Sequence, residues 1–282
     1  MAHWQSRRHS LVFYSMVHLT SLLLSILGVQ SAPLWDSSTQ KFIGMLTVTD
    51  YIRLILHYYN HASSDIMEEI EDLQIIGLKN ITYKTDKRPI ITLDPRESIY
   101  VAAHILLKNK LHRLPLVTAD HSIVSVVTQF KILKYITQTC PEVYAIRECP
   151  IIMGVGSYNH IATATHATPL LTLLNLFVER RLSSIPILDN EDRVIDVCEK
   201  YDILNLAREN AYYDLDMKIC EALARRSPSF EGIHSCRIND TLGGILQTIS
   251  QETVHRFVVV DGENKLKGVI SLSDILRYLV GL

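Results

Sequence analysis

Residues 257–276 read Phe-Val-Val-Val-Asp-Gly-Glu-Asn-Lys-Leu-Lys-Gly-Val-Ile-Ser-Leu-Ser-Asp-Ile-Leu. A short β-branched run, a polar turn, a second apolar run and a polar residue opening an apolar helical pattern predict strand, turn, strand and helix. The same order occurs three more times. Ala32-Pro33-Leu34-Trp35-Asp36 leads to Gly44-Met45-Leu46-Thr47-Val48-Thr49-Asp50. Leu114-Pro115-Leu116-Val117 leads to Val126-Val127-Thr128-Gln129-Phe130-Lys131. Ile185-Pro186-Ile187-Leu188-Asp189 leads to Val197-Cys198-Glu199-Lys200-Tyr201-Asp202. With Pro33, Pro115, Pro186 and Val258 as equivalent anchors, Pro115 to Pro186 spans 71 residues and Pro186 to Val258 spans 72. The first gap, at 82, holds an insertion. From anchor to helix-opening residue the distances are 17, 16, 16 and 16.

Upstream of the last three anchors a further helix is expected. Ile99, Ala102, Ala103, Leu106 and Leu107 make one face of it in the second repeat. Asp94-Pro95, Thr168-Pro169 and Asn239-Asp240-Thr241 mark the starts as plausible caps. The module reads strand, helix, strand, strand, helix, an α/β (α+β) class, with boundaries at 1–63, 86–148, 155–217 and 229–282. One such module exposes an apolar sheet face, so modules should pair, first with second and third with fourth. Residues 58–88 read as an amphipathic connector, with Asp65 to Asp72 acidic and Ile66, Met67, Ile70 and Leu73 between the charges.

Composition narrows the function. The 282 residues carry 28 Lys and Arg against 30 Asp and Glu, a formal net charge of −2 that argues against nucleic acid as a partner. With 48% apolar residues, disordered and fibrous classes are excluded. Cys140, Cys149, Cys198, Cys220 and Cys236 form no Cys-x-x-Cys pair, so neither a disulfide framework nor a zinc site is indicated. No P-loop, His-Glu-x-x-His or Gly-x-Ser-x-Gly occurs, and Gly154-Val155-Gly156 lacks the context of a dinucleotide fingerprint. The chain reads as a non-enzyme.

The repeated polar positions carry the chemistry. Asp50, Asp202 and Asp274 fall where a strand gives way to a helix, a place suited to anions and hydroxylated ligands. Helix capping accounts for any one of them. Three at matched offsets suggest a repeated ribose site, which the second module, with Lys131, lacks. His112-Arg113 and His255-Arg256 stand three and two residues before their anchors, and Arg181, Arg226 and Lys200 add positive charge near the third module. A His-Arg pair repeated in register suits clustered phosphate contacts.

Several stretches carry a family resemblance: Ala32 to Asp36, Gly44 to Asp50, Asn109 to Pro115, Arg226-Ser227 with Phe230-Glu231-Gly232, Val254 to Arg256 and Gly268 to Leu276. They resemble CBS (cystathionine-beta-synthase) repeats paired as two Bateman domains. From about Gly28 to Leu279 the chain is similar to the gamma regulatory subunits of AMP-activated protein kinase. The resemblance implies four repeats in a flat disk that binds AMP, ADP or ATP at its centre as ligands, with no further cofactor and no metal. Occupancy would control a kinase built of a separate catalytic alpha subunit and a scaffold beta subunit. Carried over by position, one site comprises Met45, Leu46, Thr47, Val48, Thr49 and Asp50 with Ile91, His112 and Arg113. Another comprises Ser157, Ala162, Leu182, Ser183, His255, Arg256, Ser271, Leu272, Ser273 and Asp274. A third comprises Glu199, Lys200, Tyr201, Asp202, Arg226, His234, His255 and Arg113. Ile99 to Ala119 resembles the family's pseudosubstrate segment.

Two positions depart from the family pattern. Gln30 stands where the family has an arginine, and Phe130 where it has a phosphate-contacting lysine, both belonging to the third site. The Asp202 site is therefore expected to be weakened while the Asp274 site persists. A scaffold with weak or lost nucleotide sensing is the alternative reading. The N-terminus is atypical too. Arg7-Arg8 followed by the apolar Leu11 to Val29 has the outline of a signal peptide, diluted by Ser15, His18, Thr20, Ser21 and Ser25. It is read instead as a divergent first-module start. The expectation is a cytoplasmic protein, with the nucleus as a further compartment, and no stable membrane insertion.

Overall fold

A computed structural model describes residues 31–36, 39–61, 90–140, 148, 154–204, 214–226, 230 and 232–281. Gln30, the signal-like run and most of the connector lie outside them. The described residues fall into two compact units, one drawn from 1–90, 170–181 and 200–217, the other from 91–169, 182–199 and 218–282.

In the first unit, β1 (Ser31–Asp36) and β2 (Lys41–Thr47) form an antiparallel hairpin that runs into α1 (Val48–His61). Helix α1 buries Tyr51, Ile52, Leu54 and Ile55, and it packs on α4 (Leu170–Glu179), which buries Leu170, Leu173, Leu174 and Phe177. The start of α4 is fixed by backbone bonds from Leu170 N–H to the Met217 carbonyl and from Leu171 N–H to that of Leu215.

The second unit holds α2 (Ile99–Lys108), β3 (Arg113–Val117), β4 (Ile123–Thr128), α3 (Gln129–Thr139), β5 (Ala164–Thr165), β6 (Ser184–Leu188) and β7 (Val194–Glu199). It continues through α5 (Ile219–Leu223), β8 (Ser235–Arg237), α6 (Leu242–Gln251), β9 (Arg256–Val260), β10 (Leu266–Ser271) and α7 (Leu272–Val280). Sheets β5-β6-β7 and β8-β9-β10 each combine one parallel with one antiparallel pair.

The repeat is exact in pairing register. Pro33 faces Met45, Pro115 faces Val126, Pro186 faces Val197 and Val258 faces Val269, and each hairpin carries one register shift toward its far end. Proline at three of the anchors gives up a ladder donor that the fourth anchor uses. Val258, the one anchor with an N–H, gives it to the His234 carbonyl at 2.9 Å.

The sheets of the third and fourth repeats meet through Val194, Val197, Val258 and Val260, as the expected pairing of these two modules requires. A second contact, absent from the sequence reading, joins the second and fourth repeats through their helices: α6 on α3, and α7 on α2 and α3. Leu106, Leu133, Leu246, Ile249, Ile275 and Leu276 are fully buried there. At about 1.5–3 kcal/mol per buried aliphatic side chain, this layer is a main source of the unit's cohesion.

Two sequence expectations shift. Asp94 does not cap α2. It closes a turn by accepting from Arg96 N–H at 2.9 Å, and the cap is Ser98, whose Oγ accepts from Val101 N–H at 3.2 Å. Asp50, Lys131 and Asp274 do not open their helices; each is the third residue after the true cap, Thr47, Thr128 or Ser271. A carboxylate at that position reaches back to the cap's N–H, which a residue at the cap itself cannot do.

Candidate functional site

The fourth repeat shows how the strand-to-helix junction is built. Ser271 N–H donates to Asp274 Oδ2 at 2.9 Å, Ser271 Oγ–H to the same oxygen at 2.6 Å, and Asp274 N–H returns a bond to Ser271 Oγ at 3.4 Å. The first repeat reproduces it: Thr47 N–H to Asp50 Oδ2 at 2.9 Å, Thr47 Oγ–H to the same oxygen at 2.7 Å, and Asp50 N–H to Thr47 Oγ at 3.4 Å. In both, the second carboxylate oxygen lies near an arginine one turn on, Arg277 at 3.3 Å and Arg53 at 3.8 Å. Capping thus engages Oδ2, and Oδ1 faces the arginine.

The Asp-x-x-Arg spacing in these two repeats was visible in the sequence, and Arg53 and Arg277 were missed there. Asp50 is buried, and burial raises its pKa against the opposing pull of the Thr47 bonds, Arg53 and Lys200. Lys200 Nζ donates to Thr49 Oγ1 at 3.1 Å, which brings two of the expected first-unit residues together. Asp202 is buried as well, while Lys200 and Tyr201 are half-buried. Met45 lies in β2 opposite Pro33, and Leu46 and Val48 are core residues.

In the second unit the basic residues converge. Arg113 and Arg256 both act on His255, whose pKa is pulled from 6.5 to about 4, by burial first and then by these two charges. Burial also lowers the Arg113 pKa. Arg256 ion-pairs with Glu199 at 3.0 Å and donates to the Ser183 carbonyl at 3.5 Å. Close to the fourth junction, Ser157 exchanges two backbone bonds of 2.9 Å with Val269, adding an edge to β10 two residues before Ser271. Ser157, Ser183, His255, Arg256 and the Ser271–Asp274 junction are therefore held by one sheet and the segments bonded to it. Ser273 Oγ–H donates to Gln129 Oε1 at 2.9 Å, and Gln129 Nε2 donates to the Leu111 carbonyl at 2.8 Å. Gln129 is buried and went unnoticed in the sequence because nothing in its spacing sets it apart.

Other expected residues have different surroundings. Arg226 is engaged within the protein: its guanidinium pairs with Asp196 at 2.7 Å, bonds the Val197 carbonyl and covers the Phe230 ring at 4.1 Å. His234 lies 3.6 Å from Glu252 and edge-on to Phe257. Ala162 and Leu182 are half-buried coil residues, His112 accepts Gln129 N–H at its carbonyl, and Ile91 packs on the helical core. Phe130 packs against the same core with its ring edge-on to His255 at 69°, centroids 5.7 Å apart. Among the described residues no group of His, Cys, Asp and Glu is disposed to hold a metal ion, and no disulfide joins Cys140, Cys198, Cys220 and Cys236.

Comparison with known proteins places this geometry. The CBS domain family matches residues 83–138, 155–209 and 230–281, three of the four repeats. The gamma subunit of 5'-AMP-activated protein kinase from Saccharomyces cerevisiae is 36% identical over 284 residues, covering 95% of this chain and 88% of that protein. The chain belongs to the AMP-activated protein kinase gamma-subunit family. Human subunit gamma-3 is 34% identical over 275 residues, covering 95% of this chain and 56% of its own length. Against bovine gamma-3 the figures are 34% over 276 residues, 95% and 55%, so the chain spans about half the length of these mammalian gamma subunits. For the fold, a crystal structure from Methanocaldococcus jannaschii, a candidate archaeal homolog of the gamma subunit, superposes with a TM-score of 0.73 at 15% identity, covering 98% of this chain and 97% of that one. The first repeat lies outside the CBS matches, yet its hairpin pairs anchor and partner as the later repeats do and its junction is that of the fourth repeat.

Proposed function

We propose that this chain is the non-catalytic regulatory subunit of an AMP-activated protein kinase heterotrimer, binding AMP, ADP or ATP between its repeats and acting with a catalytic alpha and a scaffold beta subunit. The observation that carries the reading is that Arg256 on β9, next to His255, pairs in register with Ser271, the cap that holds the Asp274 carboxylate, while the charge of Arg113 from β3 also acts on His255. The two arginines suit a phosphate and the carboxylate suits ribose hydroxyls. On this reading the repeats are binding modules with no catalytic residues of their own. No helix among the described residues is long and apolar enough to cross a membrane, and the proposed location is the cytoplasm.

Phe130 favours a second reading for part of the molecule. An apolar ring against His255, where the family carries a lysine, removes a charge-assisted contact of about 1.5–3 kcal/mol, so the phosphate site to which the resemblance assigns this position would be weakened. Direct titration with AMP and ATP, followed by co-purification with a kinase, separates the two. A sensor binds both nucleotides and brings down kinase alpha and beta subunits; a scaffold brings down the subunits without binding nucleotide.

A further inference from the structure

One carboxylate stands among the cations of the second unit. At the position three residues before the junction aspartate or its equivalent, the first, second and fourth repeats place Thr47, Thr128 and Ser271, hydroxyls that accept the helix's third N–H. The third repeat places Glu199 there, at the end of β7. A carboxylate Oε1 of Glu199 lies 3.0 Å from Arg256 Nη1. The residue has exchanged a capping role for a charge contact with the arginine of the His-Arg pair.

The neighbouring pair on β7 is built differently. Arg226 is 9% exposed at its side chain and is held by Asp196, the Val197 carbonyl and the Phe230 ring together, as a structural lock is. Glu199 is 27% exposed and Arg256 12%, close to the 23% and 9% of Asp196 and Arg226, and the contact is open to solvent from the Glu199 side. A phosphate oxygen approaching Arg256 meets a negative charge already within 3.0 Å of its target nitrogen. It must share the guanidinium with Glu199 or displace it, and the repulsion grows with the ligand's charge.

We propose that Glu199 is a specificity-determining residue of the phosphate cluster: its carboxylate competes with ligand phosphate for Arg256 and thereby disfavours the more highly charged nucleotides. The inference rests on the nucleotide-binding reading above. It assigns the discrimination between AMP and ATP at this cluster to a single acidic side chain, working by exclusion of the wrong ligand.

The test is the affinity of the full chain for AMP and for ATP, measured by titration calorimetry with wild type, Glu199→Gln and Glu199→Asp. Glutamine keeps the shape and removes the charge. Glu199→Gln is expected to tighten ATP binding about tenfold, the fold-change of one regained charge-assisted contact, and AMP binding by less. The ATP-to-AMP affinity ratio therefore rises, while Glu199→Asp, which keeps the charge, leaves the ratio close to wild type. Thermal unfolding without nucleotide checks that each variant folds, and a purely structural role for Glu199 would move that curve and both affinities together without changing the ratio. Wild-type binding with an unchanged or lowered ratio in Glu199→Gln overturns the inference and leaves the nucleotide-binding reading standing. Absence of AMP and ATP binding in all three proteins overturns both.

Discussion

His255 gives a pH dependence whose size can be worked out. Burial, then Arg256 and Arg113, holds its imidazole pKa near 4 rather than 6.5. The folded chain keeps it neutral where the unfolded chain binds a proton. Its contribution to stability is therefore complete above pH 6.5 and is lost as pH falls toward 4. At about 1.4 kcal/mol per pH unit, the loss reaches roughly 2 kcal/mol at pH 5 and roughly 3 kcal/mol at pH 4. Urea unfolding of wild type and His255→Gln at pH 7 and pH 5, at fixed ionic strength, isolates the effect, since the other histidines titrate alike in both proteins. Wild type should lose about 2 kcal/mol more than the variant between the two pH values. Equal losses would refute the argument. Added AMP should reduce the wild-type loss, because phosphate beside the ring favours its protonated form.

A β-carbon added at Gly268 would stand 2.6 Å from the Tyr158 ring, so Gly268→Ala should destabilise by about 1–3 kcal/mol, and Tyr158→Ala in the same chain should relieve part of that cost in a double-mutant cycle read by urea unfolding. Asp50 has a raised pKa in the folded chain, so its contribution is lost as pH rises from 3.8 through the folded value; Asp50→Asn should flatten that fall in thermal unfolding and stay within about 1 kcal/mol of wild type at pH 7, whereas Thr47→Ala should cost about 1 kcal/mol through the lost cap.

The repeat was legible because the anchors and junctions recur at fixed offsets; the pairing within each hairpin, Pro115 with Val126 and Val258 with Val269, depends on turn length and on the one register shift each carries, and was not. The helix layer joining the second and fourth repeats was not legible. Leu133 and Leu246 announce buried faces, but periodicity names no partner, and the partner is distant in sequence. At the site, the aspartates and His-Arg pairs could be found by register, whereas Gln129, a buried bridge between Leu111 and Ser273, depends on tertiary placement alone. Glu199 could be placed by register too, but its contact with Arg256 could not, since the two lie 57 positions apart in the chain.

On the proposed function, adenine nucleotide binds principally through the junction at Asp274 and less through that at Asp202. Titration calorimetry with AMP on wild type, Asp274→Ala and Asp202→Ala tests it most directly. The expected result is a saturable wild-type event that ATP competes away, that Asp274→Ala abolishes and that Asp202→Ala largely preserves. It is contradicted if AMP gives no binding heat with the folded wild type, or if Asp202→Ala removes the dominant event and Asp274→Ala leaves it intact.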